Sequence, residues 1–166
     1  MTEVKTFRLG DFRLQSGRIL PDAQLTYVVY GSMNADKSNV VLYPTSYGAQ
    51  HADIAWAVGP DKVLDPNRWC VIIVNKFGNG MSTSPSNVAA PVARGRWPKV
   101  THVDNVAAQA RLLTEVFGVE RLALVYGWSM GGQQALHWGA LLPERVKAIC
   151  AVCTSAKTSV HNKVFL

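Results

Sequence analysis

Four short apolar runs separated by helical patterns constrain this chain more than any other feature. Residues 39–43, 69–74, 122–126 and 146–153 are near-continuous stretches rich in Val, Ile, Leu and Ala. A strand with one wet face would alternate; unbroken, largely β-branched runs predict strands buried on both faces, as in a parallel sheet covered by helices. The intervening segments fit. Residues 51–64 have helical character and end at Asp65-Pro66-Asn67. Thr101 opens the clearest helix, with Val103, Val106, Ala107, Ala110, Leu113, Val116 and Phe117 at helical spacing, an Asp104 capping-box partner and Gly118 as the stop. Residues 130–142 predict a second helix ended by Pro143. Strand, helix, strand in this rhythm implies right-handed crossovers. The first thirty residues alternate instead (Phe7, Leu9, Phe12, Leu14, then Leu25, Tyr27, Val29), predicting two antiparallel strands joined near Ser16-Gly17. Residues 77–98, rich in Gly, Ser, Pro and Asn, predict a long surface loop.

Chemistry concentrates at Gly127-Trp128-Ser129-Met130-Gly131, which follows one predicted strand and opens one predicted helix. That is the context of a nucleophile elbow, G-x-S-x-G. With 13 glycines among 166 residues, chance supplies the bare pattern only roughly 0.06 times. Its spacing has a steric reason: the serine occupies a strained turn, so the residues two before and two after must be small for strand and helix to approach. Ser129 is therefore the candidate nucleophile. The Met130 amide, at the positive helix N-terminus, is a candidate oxyanion donor. A second donor is expected from Pro44-Thr45-Ser46-Tyr47-Gly48, with the Ser46 amide favoured over that of Thr45. The Gly-rich stretch from Gly127 to Gly132 is no dinucleotide fingerprint, because a serine occupies its central position and no G-x-G-x-x-G can be read there.

A nucleophilic serine needs a base and an acid, which in this arrangement follow it in the order Ser, Asp or Glu, His. After Ser129 no Asp exists, and one Glu (Glu144) and two histidines (His137, His161) remain. His137 lies eight residues along the helix, about 12 Å at 1.5 Å per residue. Glu144 precedes the next strand and falls at the opposite sheet edge. His161 is on the correct side, but the one carboxylate between Ser129 and it, Glu144, falls at the opposite sheet edge. His51 and His102 precede the serine and are candidates for supporting positions. The expectation is that residues 1–166 form the N-terminal portion of a catalytic domain, with the lid, the triad acid and the histidine in a C-terminal half outside this chain. Cys150 and Cys153 are expected to be buried packing groups on opposite strand faces.

Composition removes other classes. With 48% hydrophobic and 17% charged residues the chain is not disordered. Its net charge of +6 is scattered, without the basic block or aromatic interleaving of a nucleic-acid groove. No run approaches the roughly 18 apolar residues of a membrane span, and Met1-Thr2-Glu3-Val4-Lys5 lacks a signal-peptide core. A cytoplasmic protein with no nucleic-acid or membrane partner is expected. Three cysteines and four histidines show no metal-ligand spacing, so neither metal nor bound cofactor is expected.

The motifs resemble the homoserine O-acetyltransferase family of α/β-hydrolases. The resemblance rests on Val71-Ile72-Ile73-Val74-Asn75, Gly78-Asn79-Gly80 before Ser82-Thr83-Ser84-Pro85, residues 97–109 from Trp97-Pro98-Lys99 to Gln109, and residues 127–138 from Gly127 to Trp138. It covers nearly the whole chain. It implies an α/β-hydrolase fold with helices on both faces of a mostly parallel sheet. It also implies ping-pong transfer of an acetyl group from acetyl-CoA through Ser129 to a hydroxyl acceptor such as homoserine, a step of methionine biosynthesis. The small-molecule partners would then be an acyl-CoA or ester and that acceptor; the oligomeric state is left open, a homodimer included. Transferases of the family usually carry a His-Ala-Leu-Thr-Gly-like loop where Pro44-Thr45-Ser46-Tyr47-Gly48 stands here. Two alternatives stand beside the transferase: a serine esterase on the same fold, and an inert half active only with a partner chain.

Overall fold

A computed structural model describes residues 2–164; Met1, Phe165 and Leu166, which belong to the expected 1–166 unit, lie outside the described residues. Six strands form one sheet in the order β1-β2-β4-β3-β5-β6: β1 Lys5–Arg13, β2 Ile19–Tyr30, β3 Val40–Pro44, β4 Cys70–Val74, β5 Leu124–Trp128 and β6 Ile149–Val152. The first two strands pair antiparallel, β2 pairs antiparallel with β4, and β3, β4, β5 and β6 run parallel. Every residue of β3 and β4 is buried. Unbroken apolarity in those two runs thus has its expected meaning, since both sheet faces there are covered. The described part of the last run is shorter than predicted: Leu122 and Val146 form only an isolated bridge before β5 and β6 begin.

The two long helices, α2 His102–Phe117 and α3 Met130–Leu141, pack on one face, where Val106, Leu112, Leu113, Ala135 and Trp138 join Leu25, Leu42, Ile72 and Val125 in one core. Opposite, the short helix α1 His51–Ile54, the 3₁₀ turn Ala55–Ala57 and Leu64 cover Val41, Tyr43, Val71 and Ile73. Towards β5 and β6 this second face is thinner, and Leu124, Cys150 and Val152 are only partly buried. No helix among the described residues is long and apolar enough to cross a membrane.

Helix α2 starts and stops as the sequence predicts. Thr101 and Asp104 make a reciprocal capping box, and Gly118 takes the left-handed conformation at φ 59°. Its buried face differs from the predicted apolar one. Ala107 and Val116 face solvent, whereas Asp104, Asn105 and Gln109 are buried. Each of these polar groups has partners: the Asp104 carboxylate accepts from the amides of Gln15 (2.6 Å) and Thr101 (2.7 Å) and from Thr101 Oγ1 (2.8 Å), and Asn105 Oδ1 accepts from the Phe77 amide at 2.9 Å. A paired polar group can replace an apolar one in a core without a large desolvation cost.

The same physics corrects the expected surface loop. The segment after β4 has no strand, but Phe77, Asn79, Ser82, Thr83 and Ser84 are buried. Ser82 Oγ accepts from the Thr26 amide (2.9 Å) and donates to the Asn75 carbonyl (2.6 Å), while Thr83 exchanges bonds with Gln24 of β2. Hydroxyl side chains here satisfy backbone groups that a neighbouring strand would otherwise serve.

Asp104 ties the β1–β2 hairpin to α2, so Asp104→Ala should cost about 1–2 kcal/mol in chemical denaturation of the full-length protein, combining a weakened cap with the loss of the part-buried bond to the Gln15 amide. A loss below about 0.5 kcal/mol would contradict this role.

Candidate active site

The site is built where β5 meets α3. Ser129, between them, has φ 53° and ψ −121°, a region that residues with a side chain rarely adopt and that stores about 1–3 kcal/mol. Both ends of the residue are fastened: its amide donates to the Val152 carbonyl (2.9 Å) and its carbonyl accepts from the Gln133 amide (3.2 Å). Although Ser129 is the N-cap of α3, its side chain makes no capping bond, which leaves the hydroxyl free for chemistry. The flanking glycines are sterically required. A Cβ on Gly127 would lie 2.1 Å from the Gly131 carbonyl oxygen, and one on Gly131 would lie 2.6 Å from the Pro44 carbonyl oxygen. Helix α3 therefore starts in backbone contact with the ends of both β5 and β3.

That contact brings the loop after β3 beside the serine. Ser46 Oγ donates to the carbonyl of Trp128, the residue preceding Ser129. The Thr45 amide is committed to the Val74 carbonyl at 3.1 Å, which removes it from the two amides considered at this loop. Among the described residues, the amides of Ser46 and Met130 have no protein acceptor. Ser129 and Met130 line a cavity of about 480 Å³ with Tyr47, Gln133, Thr154 and Thr158. Trp128 is braced from the other side by Trp56, edge to face at 5.7 Å between ring centroids. The arrangement can present a serine hydroxyl, a helix N-terminus and two amide donors to one acyl carbonyl.

Residues 40–165 match the protein family described as alpha/beta hydrolase fold. The chain belongs to that family. Its relatives include an ethyl acetate hydrolase from Pseudomonas veronii, 42% identical over 158 residues and covering 95% of this chain and 45% of the relative. A homoserine O-succinyltransferase from Burkholderia mallei is 41% identical over 170 residues, covering 92% and 44%. Among solved structures, the acetyl esterase MekB superposes with a TM-score of 0.94 at 40% identity, covering 98% of this chain and 48% of that one. The homoserine acyltransferase resemblance carried by the motifs is thus accompanied by a stronger esterase resemblance: a homoserine O-acetyltransferase from Bacillus anthracis superposes with a TM-score of 0.84 at 24% identity, below the esterase on both measures. This α/β-hydrolase chain spans about half the length of these relatives.

Around the elbow this α/β hydrolase gathers groups that the motif alone does not reveal. His102, at the first position of α2, has Nε2 at 3.2 Å from Gln133 Oε1. The Gln133 Nε2 donates onward to the Ser155 carbonyl (3.3 Å) and Thr158 Oγ1 (3.1 Å), holding the segment after β6 as one wall of the cavity. His137 Nδ1 lies 2.8 Å from the Gln133 carbonyl, with its ring 4.9 Å from that of His102. Burial pushes His102 below the ordinary histidine value, with His137 and Lys76 adding to the effect against the Gln133 bond, and burial likewise lowers Lys76. His51 Nδ1 is 3.2 Å from Asn75 Nδ2. His51, His102 and His137 are thus engaged away from the Ser129 hydroxyl; His161 is exposed, just before the 3₁₀ turn Asn162–Val164. Glu144 sits in the 3₁₀ turn after α3, before β6. Cys150 is half-buried, but Cys153, expected in the core, is exposed and lines the cavity, because β6 ends at Val152 and Cys153 turns out of the strand at φ 49°.

Gly131→Ala should destabilise the full-length protein by about 1–3 kcal/mol and weaken serine-directed labelling, although Gly→Ala inside a helix normally stabilises by about 1 kcal/mol. Denaturation curves give the sign. His102 makes a second prediction. The unfolded chain takes up this proton near the ordinary value of 6.5 whereas the folded protein resists it, so stability falls as pH drops through and below 6.5. In melting curves between about pH 7 and pH 5, His102→Gln should lose less stability than the native protein; equal losses would show that His102 does not contribute.

Proposed function

We propose that the full-length protein is a serine esterase that hydrolyses esters of short acyl groups, acetyl esters foremost. The observation that carries the reading is Ser129 at a positive-φ elbow, uncommitted as a cap and flanked by the unpaired amides of Ser46 and Met130. Ser129 Oγ attacks the ester carbonyl and loses its proton to a general base. The carbonyl oxygen gains negative charge beside the two amides, and the bond to the alcohol then breaks as the alcohol takes up the proton. Water attacks the resulting Ser129 ester, releasing the carboxylic acid and restoring the hydroxyl. The base and its carboxylate partner belong to the part of the protein beyond this chain, since no Asp follows Ser129 within it and Glu144 lies on the far side of α3. By itself this chain would be an inert half.

Identity of 42% to an ethyl acetate hydrolase and of 40% to an acetyl esterase supports water as the acyl acceptor. Identity of 41% to a homoserine O-succinyltransferase favours a second reading, in which the same Ser129 ester is passed to a hydroxyl acceptor such as homoserine. The two readings share the first half-reaction and differ in what attacks the acyl-enzyme.

Acid release from ethyl acetate and CoA release from acetyl-CoA, each with and without homoserine, separate them. The esterase reading expects steady acid release that ignores homoserine and falls at least about 10⁴-fold in Ser129→Ala. CoA release that requires homoserine, without ester hydrolysis, would establish the transferase.

A further inference from the structure

Three buried side chains form a hydrogen-bonded line that runs from helix α3 across to α2 and back through α3 to the loop beside Ser129. The Trp138 indole Nε1 donates to Gln109 Oε1 at 2.8 Å, Gln109 Nε2 donates to Gln134 Oε1 at 2.8 Å, and Gln134 Nε2 donates to the Thr45 carbonyl at 3.0 Å. All three residues have 0% exposure. The line has only one polarity. An indole N–H can only donate and a backbone carbonyl can only accept, so Gln109 must turn its oxygen to Trp138, and Gln134 must turn its nitrogen to Thr45. Flipping either amide would set like groups against each other.

The far end of the line bears on the reaction. The Thr45 carbonyl and the Ser46 N–H belong to one planar trans peptide and point in opposite directions. Whatever fixes that carbonyl therefore aims that N–H. Among the described residues Gln134 is the carbonyl's hydrogen-bond donor, while the Thr45 amide is held by Val74 and Thr45 Oγ1 by the Lys76 amide. Apolar residues of similar volume would fill the space between α2 and α3 but would leave the Trp138 indole N–H and the Thr45 carbonyl without these partners.

We infer that Gln134, oriented by Gln109 and Trp138, is a positioning residue that aims the Ser46 amide at the oxyanion formed on Ser129. The inference rests on the reading of Ser129 and Ser46 given above. Gln134→Met keeps the volume and removes the donor; the peptide can then rotate, and part of the value of one oxyanion donor is lost. A whole donor is worth about 10²–10³ in kcat.

The test compares native, Gln134→Met, Gln109→Met and Gln134→Glu forms of the full-length protein for kcat, KM and inhibition by a trifluoromethyl ketone, whose serine adduct carries the same oxyanion. In Gln134→Met, kcat should fall about 10- to 100-fold with KM within about 2-fold, and ketone affinity should fall by the same factor as kcat. Gln109→Met should lie between this variant and the native protein. Gln134→Glu keeps the acceptor for Gln109 but donates to Thr45 only when protonated, so its kcat relative to native should rise as pH falls. That pH dependence decides the matter if Gln134→Met does not fold. A Gln134→Met kcat within about 2-fold of native, a ketone affinity that does not follow kcat, or a flat relative pH profile for Gln134→Glu overturns the inference. Ser129→Ala distinguishes the failures: if it stays active the reading of the site falls, and if it is inactive while Gln134→Met behaves as native only the positioning role falls.

Discussion

The backbones of β5 and α3 pass so close at Gly127 and Gly131 that a single added carbon would overlap a carbonyl oxygen, and much of the site follows from this approach. Only a sharp turn joins a strand to a helix at that distance, and Ser129 is the residue forced to φ 53° to make it. The strain is sustained from outside by the Val152 carbonyl on one side and the first turn of α3 on the other. Because Gly131 also lies against the Pro44 carbonyl, the helix N-terminus sits at the end of β3 as well. One tight junction thus places the serine, the Met130 amide and the Ser46 loop beside one another, Ser46 Oγ donating to the carbonyl of the residue before Ser129. Preorganisation of this kind is what makes amide donors effective in a water-poor site.

Around the junction, rigidity comes from polar packing as much as from apolar burial. Asn75, fully buried at the end of β4, accepts from the His51 amide and Asn79 Nδ2 at 2.9 Å each and donates to Thr26 Oγ1 at 2.9 Å. It joins β2, β4, α1 and the Ser-rich loop through one side chain. Its remaining N–H points to His51 Nδ1, which must accept, placing the His51 proton on Nε2. Such networks tolerate no missing partner, since a buried amide left unpaired is costly.

These networks mark where sequence reasoning stops. The strands, the capping box of α2 and the strand–elbow–helix order are legible because each depends on neighbours in the chain: a run of Val and Ile, a Thr three residues before an Asp, a Gly two residues either side of a Ser. Residues 77–98 read as a surface loop because Ser, Thr and Asn usually face water, and nothing local tells that Ser82 and Thr83 meet the backbone of β2 more than fifty residues away. The buried Gln109 and Gln134 escape for the same reason; periodicity counts apolar residues, and a glutamine with a distant partner breaks the pattern while filling the core. A signal was nevertheless present, in two adjacent glutamines, Gln133 and Gln134, one turn after the nucleophile. Cys153 reads as a core residue because a run of apolar residues does not show where its last strand residue leaves the sheet.

On this account the chain holds the reactive half of a hydrolase site, its nucleophile and charge-stabilising amides, with proton transfer assigned to the protein's remaining part. The most direct measurement is rapid quenching of the full-length protein with a short acyl ester, followed by digestion and mass spectrometry of the peptides. The account predicts an acyl group on the peptide containing Ser129, localised to that residue, appearing before the acid product accumulates. Turnover without acyl-Ser129, or an acyl group carried by a different residue, would contradict it.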